Sequence, residues 1–299
     1  MKVPDLFWHV VRPVWLIMTI SRFYDMTMTF ENPPIVLTIA GSEATGGAGA
    51  QADLKTFQEL GVFGIVGLTC IVSFDPKDNW NHRFVPVDPQ VIADQLEASQ
   101  TSYDGKLRTV KLGMMGTPQT IETVAGALEN QEWDNVVLDP VLICKGQEPG
   151  AALDTDQALV AKLLPKATFV TPNLFEASTL AGFEITDVEG LKKAAKVIHE
   201  KSGAAVLAKG GIRLDGPDAV DVFYDGGEFE VLSTPKVGDH AVSGAGCSLA
   251  AAIAALLAQG RSPLEAAREA KEFVTRGISQ RVESSLPFDA LWQGGLRSN

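Results

Sequence analysis

The sequence predicts one three-layer α/β domain with a mostly parallel central sheet. Short apolar runs alternate along the chain with stretches that have helical patterns. The runs are continuous rather than alternating, as expected for strands that are buried on both faces of a parallel sheet. No internal repeat, low-complexity linker or break in composition divides them, which favours a single domain.

The predicted elements follow from local signals. Continuous apolar runs predict strands at 35–40, 64–72, 109–115, 135–142, 167–173 and 204–211. Helical patterns predict helices at 50–60, 89–101, 118–129, 152–164, 174–181, 188–201, 245–257 and 263–281. Gly61 is placed to cap the first helix, and the Asp225–Gly226 pair predicts a hairpin turn within 220–232. Residues 146–150 form a loop that we expect to act as a small flap over a site.

Composition and charge restrict the class of protein. The 299 residues are 45% hydrophobic and 21% charged, as in ordinary globular enzymes. A net charge of −12 argues against nucleic acid or an anionic membrane as partner. Cys70, Cys144 and Cys247 lie far apart, without metal-ligand spacing, which is typical of free thiols in a reducing cytoplasm.

The N-terminal residues 1–33 differ from the rest of the chain. Their apolar run is broken by His9, Arg12 and Pro13, so it is too short and too polar to span a bilayer. We expect a non-structural extension, from an upstream start codon, rather than a targeting segment. The catalytic domain is then expected at 34–299.

Polar groups follow several of the predicted strands. They are Asp139, Asn173 with Glu176, Lys209, and the segment Gly244–Cys247. In open parallel sheets the carboxyl ends of the strands meet at one edge, where ligands bind. We therefore expect these groups to converge.

This set of groups suits phosphoryl transfer. The carboxylates of Asp139 and Glu176 suit Mg²⁺, and Lys209 can hold a phosphate. The Gly244–Gly246 turn before a helix offers backbone N–H groups to an anion, and Cys247 there is expected to favour the thiolate and act as a base. Each group also has an ordinary structural interpretation: a turn, a helix-dipole partner, a solvated lysine, and a closely packed helix start with a small buried thiol.

Seven motifs follow one another over residues 34–282: Ala40–Ser42, Gly46–Thr56, Lys111–Gly116, Asp139–Val141, Thr171–Ala177, Lys209–Gly211 and Gly244–Cys247. In this order they resemble the ribokinase-like superfamily of vitamin and sugar kinases. Within it the chain is similar to the hydroxymethylpyrimidine/phosphomethylpyrimidine kinases and the related pyridoxal kinases.

The resemblance implies a three-layer αβα kinase that uses ATP and Mg²⁺, and it suggests a homodimer. Asp139 and Glu176 would organise Mg²⁺, Asn173 and Lys209 would hold the ATP phosphates, and Gly244, Ala245 and Gly246 would form the anion hole. Cys247 would be the catalytic base, in the place where most of the superfamily has aspartate. The ring-binding pocket would include Gly41, Ala48, Asp53, Phe74, and Met114 or Met115.

The substrate implied by the resemblance depends on a few positions. Phe74 stands where the pyrimidine kinases carry a glutamine that reads the pyrimidine edge. Residues 75–82 and the flap Cys144 resemble bacterial pyridoxal kinases, in which the flap cysteine joins an anion-hole cysteine that can form a hemithioacetal with pyridoxal. Ser243 holds the place of a histidine that the branch usually carries, and His240 is the nearest histidine.

The expected activity is therefore phosphorylation of pyridoxal, pyridoxine and pyridoxamine in vitamin B6 salvage. Hydroxymethylpyrimidine/phosphomethylpyrimidine kinase activity in thiamin synthesis is the alternative. A non-catalytic vitamin or nucleotide sensor is a third reading, against which the complete set of polar groups weighs.

Overall fold

The computed structural model describes residues 32–142 and 149–297. Within these residues, nine strands form one sheet in the order β3-β2-β1-β4-β5-β6-β7-β8-β9. The strands are β1 Ile35–Glu43, β2 Phe63–Asp75, β3 Asn81–Pro86, β4 Leu107–Leu112, β5 Asn135–Leu138, β6 Phe169–Val170, β7 Ala205–Gly211, β8 Asp218–Tyr224 and β9 Glu230–Pro235. The neighbours from β2 to β7 pair in parallel, whereas β3 and the β8–β9 hairpin add antiparallel strands at the two edges.

Eight α-helices cover the sheet in the described part of the chain. They are α1 Gly49–Glu59, α2 Pro89–Ser102, α3 Pro118–Leu128, α4 Pro149–Lys162, α5 Leu174–Ala181, α6 Val188–Ser202, α7 Ala245–Ala258 and α8 Pro263–Ser279. Several of them begin at a polar residue whose side chain accepts a backbone N–H of the first turn: Asp88, Thr117, Asp187 and Ser262. These caps explain why the helix starts could be read from the sequence.

The core has two layers, one on each face of the sheet. Successive strand residues point to opposite faces, so Val36 packs with α1, α7 and α8, while Leu37 packs with helices α2 to α6. Phe169 and Val170 of β6 divide in the same way. The three-layer α/β/α architecture predicted from the sequence is confirmed.

Strands β4 and β5 end at Leu112 and Leu138, earlier than predicted, and three further differences concern β3, β6 and α4. Strand β3 was not predicted, because its short polar sequence at the edge of the sheet lacks an apolar run. Strand β6 is only two residues long, since the chain continues into Pro172, which has no N–H to donate to a neighbouring strand. Helix α4 begins at Pro149, so it takes in the end of the expected flap at 146–150.

Three predictions fall outside the described residues. They concern the expected N-terminal extension through residue 31, the flap thiol Cys144 and the part of the flap at 146–148. In the region that is described, no helix combines the length and the apolar character needed to cross a membrane.

Candidate active site

A cavity of about 400 Å³ opens where β5, β6 and β7 end and α7 begins. Its volume is in the range of small-molecule binding sites. The expected polar groups all line it: Asp139, Asn173, Glu176, Lys209, Gly244, Ala245, Gly246 and Cys247. The convergence expected from the parallel sheet is therefore observed.

Asp139 is the central anion of the cavity. Its Oδ1 atom lies 3.2 Å from Lys209 Nζ and 3.2 Å from the hydroxyl of Thr171, which donates to it. Asp139 is 4% exposed, so these two contacts hold the carboxylate in a nearly dry environment. Thr171 belongs to the motif Thr171–Ala177, but it was not predicted as a site residue.

Asn173 and Glu176 form a capping box at the start of α5. The Asn173 side chain accepts the Glu176 N–H at 3.1 Å, and a Glu176 carboxylate oxygen accepts the Asn173 N–H at 2.7 Å. Burial raises the pKa of Glu176 to about 7; Asp139 adds to this effect and Lys209 opposes it. Glu176 therefore has both roles: it stabilises the start of α5, and it lines the cavity.

Lys209 lies at the end of β7 and points toward these carboxylates. Burial opposes its positive charge, but Asp139 and Glu176 raise the pKa of Lys209 above its ordinary value. The lysine is therefore a fixed cation at neutral pH, as a phosphate-binding group requires.

The N-terminus of α7 forms the opposite wall. Gly244 is its N-cap residue and has a φ of 78°, a left-handed conformation that favours glycine. A Cβ atom at this position would also collide with the Gly47 carbonyl oxygen. At Gly246, a Cβ atom would lie 3.6 Å from Lys209 Nζ and 3.9 Å from Asp139 Oδ2, so the backbone approaches both charged groups.

Cys247 lies in the first turn of α7 and is partly buried. The surroundings of the thiol do not agree with the expected thiolate. Burial raises the pKa of Cys247 to about 11, and the opposing effects of Lys111 and of the Gly49 N–H do not overcome it. Desolvation of the thiolate outweighs the helix N-terminus here.

Three of the expected ring-binding residues group beside the cavity rather than in its lining. A Cβ at Gly41 would lie 2.5 Å from Cys70 Sγ and 3.7 Å from Met114 Sδ. The Ala48 Cα lies 3.6 Å from the Cβ position of Gly244, next to the anion hole. Gly41 and Met114 thus lie beside Cys70, and Ala48 lies beside the anion hole.

Asp53 and Met115 differ from their predicted role. Asp53 is fully buried in α1, where it accepts the Thr38 hydroxyl at 2.6 Å and pairs with Lys111 at 2.8 Å. Met115 is 2% exposed and belongs to the core on the α2–α6 face. Neither side chain offers an exposed surface to a substrate ring, because one completes a buried ion pair and the other fills the core.

Phe74 packs edge-on against two rings. Its centroid lies 4.7 Å from that of His82 and 5.5 Å from that of Phe288. Phe288 belongs to the segment after α8, which pairs with the loop before α7: Ser243 N–H donates to the Asp289 carbonyl at 2.8 Å. The C-terminal segment therefore reaches the site, which sequence reasoning missed.

His240 lines the cavity but is engaged with carboxylates. Its Nδ1 lies 2.7 Å from Asp239 Oδ1 and its Nε2 lies 3.6 Å from Asp289 Oδ2. Ser243, which stands in the place of the expected histidine, contacts the Gly47 region instead. A role for His240 in the chemistry stays a prediction.

Two further residues shape the site without having been predicted. Glu43 accepts four hydrogen bonds from the loop 44–48, from Thr45 N–H and hydroxyl and from the Gly47 and Ala48 N–H groups. Lys111 is a completely buried cation that forms an ion pair with Asp53. A charged residue inside an otherwise apolar strand run was the available signal for Lys111.

The oxygen donors of the cavity suit a metal ion that keeps part of its water shell. Within the described ranges, no group of three or more His, Cys, Asp or Glu side chains is arranged to hold one. Asp139 and Glu176 nevertheless line the cavity together, and Mg²⁺ binds proteins through one or two carboxylates together with water and phosphate oxygens. These two residues fit Mg²⁺ in that mode. Cys144, the expected flap thiol, lies outside the described residues.

Comparison with known proteins gives one consistent family. The phosphomethylpyrimidine kinase family matches residues 43–286. The chain is 45% identical to the pyridoxine kinase of Bacillus subtilis over 82% of its length and 90% of that protein, and 37% identical to a hydroxymethylpyrimidine/phosphomethylpyrimidine kinase of Haemophilus influenzae over 82% and 90%. The fold matches the pyridoxal kinase of Staphylococcus aureus in complex with AMP-PCP and pyridoxal, with a TM-score of 0.82, 39% identity, and 89% and 95% of the two chains covered.

Proposed function

Because the chain belongs to the phosphomethylpyrimidine kinase family, we propose that it phosphorylates the hydroxymethyl group of pyridoxal and related B6 vitamers with ATP. The resemblance inferred from its motifs and the expected ribokinase-like fold are thereby confirmed. The observation that carries the proposal is the single cavity shared by Asp139, Glu176, Lys209 and the first turn of α7. It combines two anions, a fixed cation and a helix N-terminus at the end of one sheet, as phosphoryl transfer requires.

The proposed step is an attack of the substrate hydroxyl on the γ-phosphorus of ATP. The new bond joins the hydroxymethyl oxygen to phosphorus, the bond to the ADP oxygen breaks, and the hydroxyl proton passes to the Cys247 sulfur. Lys209 and the backbone N–H groups of Gly244–Gly246 stabilise the charge on the moving phosphoryl group. Asn173, whose side-chain oxygen caps α5, lies where it can contact the phosphates from the same wall.

Cys247 can accept that proton only as a thiolate. Its raised pKa makes the thiol dominant in the ligand-free protein. The positive charge of Lys111 and the N-terminus of α7 both favour the thiolate. Desolvation therefore opposes formation of the thiolate, whereas Lys111 and the N-terminus of α7 favour it.

Mg²⁺ would be held by Asp139 and Glu176, and it would supply positive charge to the phosphate oxygens. Burial raises the pKa of the Glu176 carboxylate to about 7, and the positive charge of Lys209 favours its ionised form. The expected Mg²⁺ requirement is measured by titrating the ion into the assay after treatment with a chelator.

Two observations support a B6 vitamer over a pyrimidine. The relatives include a pyridoxine kinase at 45% identity and a pyrimidine kinase at 37%. Phe74 also offers no hydrogen-bonding amide, and its ring is held between His82 and Phe288. A pyrimidine edge would lose its hydrogen-bond partners there, which weakens discrimination in its favour.

Hydroxymethylpyrimidine/phosphomethylpyrimidine kinase activity remains the second candidate, favoured by the family match itself. The decisive experiment compares pyridoxal, pyridoxine, pyridoxamine and hydroxymethylpyrimidine as acceptors with the same ATP supply. We expect the highest kcat/KM with a B6 vitamer. Turnover of the pyrimidine alone would overturn the proposal, and binding without turnover of any acceptor would favour the sensor.

The remaining proposals concern the setting of the enzyme. The resemblance to the family supports a homodimer, which sedimentation velocity would detect at a mass of about twice that of the chain. The sparse, widely spaced cysteines support a cytoplasmic location, and the negative net charge supports small molecules rather than nucleic acid or membranes as partners.

A further inference from the structure

A second charged pair lines the same cavity, from the side of β8 and α8. Lys271 of α8 donates to Asp221 Oδ2 at 2.6 Å and to the Ala219 carbonyl at 2.9 Å. Both side chains are more than nine-tenths buried, and both border the cavity. Neither was predicted from the sequence.

Asp221 connects this pair to the phosphate-binding strand end. Its other oxygen, Oδ1, accepts the Gly211 N–H at 3.2 Å. Asp221 is also the cross-strand partner of Lys209 in the β7–β8 pairing. The pairing shifts register between Lys209 and Gly211, so the strand carries an irregularity directly after the lysine.

The irregularity leaves the end of β7 in need of support. At Gly210 the backbone packs so closely on β8 that a Cβ would lie 2.5 Å from the Val220 carbonyl oxygen. Gly211 pairs with Val220 after the register shift, and its N–H donates to the Asp221 side chain. Lys271 in turn holds Asp221 in one orientation by taking its second oxygen.

We propose that Asp221 and Lys271 are positioning residues that set the direction of Lys209 toward the phosphates of ATP. The proposal rests on the proposed function. Asp221 and Lys271 do not contact the reacting atoms. They act through the backbone at Gly210–Gly211, at the end of β7. Removing one partner of a buried ion pair leaves the other charge unpaired and lowers stability whatever its role, so an effect on nucleotide binding is the feature that separates positioning from a structural role.

The chain contains a matched control. Arg268 lies one turn before Lys271 on the same helix and pairs with Glu230 of β9 at 2.6 Å. This second pair also joins α8 to the hairpin, but its side chains are 50% and 39% exposed and neither lines the cavity. Arg268→Met therefore removes a helix-to-hairpin ion pair without touching the strand end.

The test measures the affinity for AMP-PCP by calorimetry, together with the KM for ATP, the KM for pyridoxal and kcat. We expect Lys271→Met to weaken AMP-PCP binding on the order of tenfold and to raise the KM for ATP, since small misplacements of a binding group have effects of this size or larger. The KM for pyridoxal should stay within twofold. Lys271→Arg should recover most of the affinity, and Arg268→Met should leave all four quantities unchanged.

Asp221→Asn provides the second variant. It keeps an oxygen for the Gly211 N–H but loses the charge that holds Lys271, so we expect a smaller loss of AMP-PCP affinity in a protein that remains folded. Unchanged nucleotide affinity in both variants, with only a lower melting temperature, would overturn the proposal. Equal losses for ATP and pyridoxal would overturn it too. Failure of the unsubstituted protein to phosphorylate any acceptor while it binds AMP-PCP would contradict the proposed function alone, and the binding comparison would still decide the role of the pair.

Discussion

The proton of Cys247 is subject to opposing influences that can be separated residue by residue. Burial disfavours the thiolate, while Lys111 favours it, and the anions Asp53 and Asp139 add to the effect of burial. Burial also works against the charge on Lys111, but Asp53, Cys247 and Asp139 together raise the pKa of that lysine. Lys111 is therefore a permanent cation next to the proposed base.

Replacing the proposed base tests its role directly. Cys247→Ala should reduce kcat by about 10²-fold or more, as expected for the loss of a general base, with a small change in the KM for ATP. Steady-state kinetics at saturating pyridoxal measure this effect. A variant with a near-normal kcat would assign Cys247 to packing alone.

The pH dependence of thiol alkylation tests the electrostatics without relying on turnover. Because the pKa of Cys247 is raised to about 11, its alkylation by iodoacetamide should accelerate with pH up to that value. Lys111→Met removes a cation and should slow alkylation at pH 9, whereas Asp53→Asn removes an anion and should speed it. Peptide mass spectrometry identifies the modified cysteine.

The exposed Lys106 provides the control for this experiment, because it precedes the same strand but lies at the surface. Lys106→Met should leave the alkylation rate of Cys247 unchanged. Shifts in the same direction for Lys111→Met and Asp53→Asn would contradict the electrostatic explanation and indicate a common packing defect. Melting temperatures of all three variants separate the two cases.

At the scale of elements, helix starts determine the site. Helix α5 begins with the capping box of Asn173 and Glu176, and α7 begins at Gly244 without a side-chain cap. The Ala245 N–H donates to the Val242 carbonyl at 3.4 Å, and without a side-chain cap the rest of the first turn of α7 can offer N–H groups to a ligand. One helix start thus holds its carboxylate in place, and the other offers an anion site.

Two capping boxes in the described part of the chain give a matched comparison. Asn173→Ala and Ser262→Ala each remove a side chain that accepts an N–H of the first turn, at α5 and α8 respectively. Each should lower the free energy of unfolding by about 1 kcal/mol. Only Asn173→Ala should also raise the KM for ATP, because only Asn173 lines the cavity.

Chemical denaturation and kinetics on the same preparations provide both measurements. If both variants are less stable and neither has altered kinetics, Asn173 stabilises its helix, as Ser262 does, and has no role in binding ATP. A kinetic effect of Ser262→Ala would instead show that α8 influences the site through its N-terminus.

On the scale of the molecule, the site draws on segments from both ends of the described chain. The loop 44–48, the turn at Gly244 and the segment after α8 meet, with the Cβ position of Gly47 lying 3.1 Å from Ala290 Cβ. The contact between Phe74 and Phe288 closes the same group. Contacts between residues this far apart in sequence depend on how the layers stack.

The expected N-terminal extension provides a prediction at this scale. If residues 1–33 are an extension outside the catalytic domain, their removal should leave kcat/KM for ATP and pyridoxal within about twofold and the melting temperature nearly unchanged. A truncated protein with lost activity, or one that no longer folds, would show that these residues contribute to the enzyme.

Local patterns in the sequence were sufficient for the layered fold and for most of the cavity. Buried strands of a parallel sheet appear as continuous apolar runs, and polar residues that follow such strands must meet at one edge. The sequence alone therefore predicts the site residues Asp139, Glu176, Lys209 and Gly244. The capping signals at the helix starts are local in the same way.

The sequence by itself determined the succession of strands and helices along the chain, apart from β3, and the groups at the carboxyl edge of the sheet, because both follow from periodicity and from short-range rules. Only the tertiary structure decided the protonation of Cys247, the burial of Asp53 and Met115, and the links from Lys271 to Asp221 and from Phe288 to Phe74. These features depend on desolvation and on contacts between distant segments. Neither the desolvation of a side chain nor its contacts with distant segments can be read from the spacing of residues along the chain.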